Sequence, residues 1–60
     1  MTNSVFVPVA RLLEALTWAK RHCATYITND YLQDTDSIEF FFCPTEQGQR
    51  EMLMFTLKFL

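Results

Sequence analysis

This 60-residue chain contains one glycine, Gly48, and two prolines, Pro8 and Pro44. A chain with so few breakers has few places to turn, and those three positions punctuate it. Pro8 suits the first turn of a helix, where its missing N–H costs nothing. Pro44 closes an extended stretch. Gly48 offers a loop residue able to take positive φ.

Between these marks the apolar residues recur with readable periods. Val9, Leu12, Leu13, Leu16, Ala19 and Cys23 follow the i, i+3, i+4, i+7 spacing and share one helical face. Ala, Leu, Arg, Glu and Lys dominate that run, and all propagate helix well. Arg21 and His22 fall in the last turn, where positive charge suits the helix dipole. The spacing predicts a helix over 8–23. Residues 4–7 and 25–28 are rich in β-branched and aromatic side chains and favour short strands. Asn29-Asp30 is a turn signal, and 34–37 is a polar loop.

Residues 38–43 alternate. Ile38, Phe40 and Phe42 point one way; Glu39, Phe41 and Cys43 point the other. Residues 50–59 alternate as well, with Leu53, Phe55, Leu57 and Phe59 against Met52, Met54, Thr56 and Lys58. Two such runs around a loop containing Gly48 predict a hairpin of 37–43 with 50–59. The expected fold is α+β: a single small domain, 1–60, with one N-terminal helix on an antiparallel sheet. Residues 4–7 and 25–28 can add short strands to it.

Half of the residues are hydrophobic and 15% are aromatic. A lone domain of this size hides only about 60% of its unfolded surface. One helix covers one face of the hairpin. The other face would carry Phe41, Cys43, Met52 and Met54 with nothing to cover them. A contiguous apolar patch marks an interface. Self-association through these four residues is therefore expected, as a two-fold homodimer.

A net charge of −2 gives no broad attraction to nucleic acid. The aromatic run at Phe40, Phe41 and Phe42 is flanked by Glu39 and Pro44 rather than by cations, the wrong setting for a single strand. The charges are unevenly placed. Residues 1–28 hold three cations against one acid, and residues 29–60 hold two cations against six acids. No apolar run approaches the length of a membrane span. Near the start, Arg11 ends the short run from Val5 to Ala10, which is too brief for a signal peptide core. The expectation is a cytoplasmic protein without membrane partners. Two cysteines, Cys23 and Cys43, fit reduced thiols in that setting, with a single disulfide as the alternative.

The usual signatures of chemistry are missing from the sequence. A single glycine cannot build a phosphate-cradling loop. His22, Cys23 and Cys43 supply three metal ligands without a CxxC, and neighbours on a helix diverge by about 100°. Cys23 sits at a helix C-terminus, where the dipole raises rather than lowers a thiol pKa, and nothing places His22 near Cys43. Asp34 and Asp36 resemble the start of a calcium loop, but Glu39 stands where its glycine should be and Thr45 where its bidentate glutamate should be. The chain is expected to be no enzyme and to hold no metal or cofactor.

Surface residues are the better candidates. Trp18 lies opposite the centre of the apolar stripe, among Arg11, Glu14, Arg21 and His22. Trp and Arg are enriched at binding hot spots. The bland alternative is an indole folded back over Ala15. Asp34 and Asp36, with Asp30 and Glu39, form an acidic patch suited to a basic partner. The candidate partner-binding residues are thus Trp18, Arg11, Arg21, His22, Asp34 and Asp36. The expected function is a small non-catalytic protein-binding protein, an inhibitor or regulator of a larger partner. Compact acidic inhibitors of this kind are typical of phages and mobile elements, by analogy only. Two other classes stay open: an assembly module that binds only itself, and a small-ligand binder with its site between protomers near Trp18, Arg21 and His22.

Overall fold

A computed structural model of the chain describes residues 3–59. Strand β1, Asn3–Pro8, leads through a single 3-10 turn, Val9–Arg11, into helix α1, Leu12–His22. Strands β2, Tyr26–Leu32, and β3, Ser37–Phe42, form a hairpin. Helix α2, Glu46–Lys58, closes the described chain. The sheet is antiparallel with order β1-β3-β2, so β3 is central. The protein is an α+β sandwich of two layers, with both helices on one side of the sheet.

β3 sets the core. Ile38, Phe40 and Phe42 are buried, whereas the alternate residues Ser37, Glu39 and Phe41 are half-exposed. Register puts Val5 opposite Phe40 and Val7 opposite Ile38, so β1 adds its β-branched residues to the same inner face. The helices close this face with Ala15, Ala19, Phe55 and Phe59. Phe55 is the hub: its ring centroid lies 5.0 Å from that of Phe40, 5.5 Å from Phe42 and 4.9 Å from Phe59. Offset and edge contacts at such distances are the favoured aromatic geometries.

The strand at 4–7 falls within β1, but the expected helix over 8–23 matches α1 only loosely. Pro8 is not in its first turn: extended at ψ 142° and opposite Ser37, it ends β1, and the 3-10 turn delays the α-helix to Leu12. The hairpin of 37–43 with 50–59 does not form. Residues 50–58 lie in α2, and β3 pairs with β1 and β2 instead. Period-2 alternation in this segment coexists with a 3.6 period: Gly48, Met52, Phe55 and Phe59 share the side that packs inward. Local chemistry breaks the tie. Thr45 caps the helix, its side-chain oxygen accepting the Gly48 N–H at 3.1 Å. Glu46 stands in the first turn and Lys58 in the last, matching the dipole. Arg50, Glu51, Met52, Leu53 and Met54 are strong helix formers.

Three local expectations change with it. Gly48 lies in helix α2 rather than in a loop, and no glycine has positive φ. It is needed for space, because a Cβ there would run into the carbonyl oxygen of Cys43. Asn29-Asp30 lies within β2 rather than at a turn. The turn comes after Leu32, and Asp36 takes the left-handed conformation at φ 55°, which Asp tolerates better than most residues. On α1 the buried residues are Ala15 and Ala19, while Leu13 is 79% exposed. Two alanines let the helix sit close to the sheet, and Leu12, Leu16 and Trp18 pack on either side of them.

One polar anchor ties α2 to the connection between α1 and β2. Glu51 accepts the Thr25 backbone N–H at 2.8 Å, the Thr25 hydroxyl and the Gln47 side-chain amide. Partial burial would raise this carboxyl. The hydrogen bonds from Thr25, Gln47 and the Ala24 backbone outweigh that and hold it below its ordinary value.

Candidate functional site

Two surfaces carry apolar side chains that the fold leaves uncovered. The first is the sheet face opposite the helices. Alternation places Ser4, Phe6 and Pro8 of β1 on it, with Ser37, Glu39 and Phe41 of β3. In β2 the register shifts between Tyr26 and Thr28, so Ile27 and Thr28 together oppose Phe41. This bulge turns Ile27 toward the open face. Phe6 is 59% exposed and Ile27 54%. The middle row of the face reads Phe6, Glu39, Asp30, and the two acids are direct cross-strand neighbours. Among the described residues neither forms an ion pair.

The second surface lies on the helical layer. Leu13, Leu53 and Leu57 point outward from α1 and α2, with Leu57 74% exposed. Beside Leu13 runs an open groove of about 470 Å³ lined by Thr17, Trp18, Arg21, His22 and Lys58. Glu14 also lines it. Its charge is already matched by Arg11 at 3.1 Å, and that hydrogen bond holds the Glu14 carboxyl below its ordinary value.

Trp18 is half-buried and does not stand free of the core. Its ring lies 5.9 Å from Phe55, meets Phe59 edge-on at 6.0 Å and is 4.8 Å from His22. Arg11 lies over the Phe59 ring at 4.9 Å, a cation–π contact. The indole thus forms the floor between the helices, and Arg21 and His22 remain exposed at its rim. Asp34 and Asp36 sit at the other end of the molecule. The Asp36 carbonyl accepts the Val9 N–H at 3.1 Å, just before α1 begins, whereas Arg21 and His22 end that helix. The Asp36 carboxylate accepts the Tyr31 hydroxyl at 2.8 Å, which raises the Tyr31 pKa. The six candidate partner-binding residues are therefore not one site: Arg21 and His22 end α1 beside Trp18, Asp34 and Asp36 lie toward its start, and Arg11, at the N-cap of α1, is paired with Glu14.

The four self-association candidates divide as well. Phe41 lies on the open sheet face, and Cys43 follows β3, its carbonyl accepting the Asn3 side-chain amide at 2.9 Å. Met52 packs against the core from α2, and Met54 is exposed on that helix. They do not share a face, because α2 is a helix in the other layer. Phe6, Ile27, Leu13, Leu57 and Lys58 were not among the candidates. For Phe6 the signal was present, since it alternates with Val5 and Val7. For Ile27 the sequence left the facing open between it and Tyr26, and the bulge decides it.

Cys23 is buried and unpaired, and Cys43 is also a free thiol. Burial, with the Glu51 carboxylate nearby, pushes the Cys23 thiol up to about 11. At neutral pH such a thiol stays protonated and is a poor nucleophile. Among the described residues no polar or charged residue is buried, and no helix is long and apolar enough to cross a membrane. No family model, curated protein or solved structure matches the chain.

Proposed function

We propose that this chain is a small non-catalytic protein-binding protein, an inhibitor or regulator of a larger protein, that also associates with itself. The observation that carries the reading is the open sheet face, where Phe6 and Ile27 are each more than half exposed beside Phe41. A folded chain this small gains little by leaving aromatic and branched side chains in water, and such patches mark interaction surfaces. The raised Cys23 thiol also argues against thiolate catalysis.

The test is co-purification from the native host, followed by capture with Phe6→Lys and Ile27→Lys variants. Both positions are exposed, so the variants should keep native circular dichroism. Loss of the captured protein from both supports the reading. Undiminished capture by both variants removes the sheet face as the binding surface. A small-ligand reading is favoured by one observation, the groove with Trp18 as its floor. Quenching of Trp18 fluorescence by a ligand, lost in Arg21→Ala, would support it over the protein-binding reading.

A further inference from the structure

We infer that copies of this protein associate front to back, the open sheet face of one seated on the helical layer of the next. The inference rests on the self-association part of the proposed function and specifies its geometry.

Charge selects the pairing. Asp30 and Glu39 are adjacent in the middle row of the sheet face, framed by Phe6, Ile27 and Phe41. A two-fold, sheet-to-sheet dimer centred there would bring a second acid pair onto the first, and facing like charges are selected against at interfaces. The helical layer carries the opposite sign. Leu13 and Leu57 stand out from it, with Arg21 and Lys58 along the adjoining groove. Among the described residues neither cation is in an ion pair. Each surface thus offers apolar contact with charge that the other complements.

Coverage points the same way. A two-fold dimer through either layer would cover that layer and leave the apolar residues of the other in water. A copy within a front-to-back stack covers both. The contact joins two different patches on opposite sides of the molecule, so it is heterologous, and it repeats as an open or ring-shaped assembly rather than stopping at two.

The test is sedimentation velocity over a concentration series of the full chain, with two exposed-surface variants. One is Asp30→Lys with Glu39→Lys; the other is Arg21→Glu with Lys58→Glu. The wild-type chain should grow past a dimer as concentration rises. It should dissociate as salt is raised from about 0.05 to about 0.5 M, where screening shortens the reach of the charges. Each variant alone should associate about tenfold or more weakly. Mixed in equal amounts, the two variants should assemble again, because each now presents the charge the other lacks. Recovery on mixing also shows that both variants are folded. A wild-type assembly that stops at a dimer and is unaffected by either variant overturns the front-to-back geometry and leaves self-association standing. A wild-type monomer at every concentration overturns both.

Discussion

At Gly48 a single hydrogen atom in place of a methyl group decides whether α2 can pack. The Cys43 carbonyl occupies the space a Cβ would take, and backbone on both sides leaves no flexible group to yield. Gly48→Ala therefore gains helix propensity but should lose about 1–3 kcal/mol of stability from overpacking, measured by urea denaturation. Glu51 acts by hydrogen bonding. Its carboxylate serves the Thr25 N–H, the Thr25 hydroxyl and Gln47, so its folded pKa lies below the ordinary value of 4.5. A depressed acid contributes stability that is present above its unfolded pKa and lost as pH falls through the folded one. The deficit of Glu51→Gln relative to the parent should hold near neutral pH and shrink on acidification below 4.5, read as converging unfolding midpoints. A deficit independent of pH would assign Glu51 a packing role only. The glycine was conspicuous in the sequence but its reason was not, because the obstructing carbonyl belongs to a different element. Glu51 gave no signal at all, since its partner lies across the fold at Thr25.

At the scale of elements, α1, β1 and β3 were legible because period and propensity agree in each. α2 was not, because its side chains satisfy both a 2-residue and a 3.6-residue period. An alternating reading needs a partner strand, and β3 has two edges, both filled by β1 and β2. The helix start was written in Thr45, Glu46 and the formers that follow. Thr45→Ala removes the acceptor for the Gly48 N–H and should cost about 1 kcal/mol, detectable as a lowered midpoint with unchanged secondary structure. The β2–β3 turn shows the same competition. Asn29 and Asp30 are good turn residues, yet pairing of Asn29 with Phe40 and Asp30 with Glu39 holds them in the strand. Ladder hydrogen bonds over the whole hairpin outweigh the preference of two residues.

For the whole molecule, the excess of apolar residues over the volume of a 60-residue domain persists after folding. A second helix covers one face of the sheet more fully than the sequence alone suggested, and the surplus appears on both outer surfaces. The acidic and basic candidates were identified as residue types, but the fold separates Asp34 and Asp36 from Arg21 and His22 by placing them at opposite ends of α1. It also gathers Phe6, Ile27 and Phe41 from three strands into one patch. The sequence by itself determined the α+β class, a helix near the N-terminus, a strand over 37–43 and the presence of apolar residues that one small core cannot absorb. These follow from local periodicity and from the ratio of surface to volume. The tertiary structure alone decided that 50–58 is a helix, which face each surplus residue takes, and that Asp30 and Glu39 meet in its middle. Those outcomes depend on strand pairing between segments distant in sequence, and no local pattern encodes which partner a strand will find.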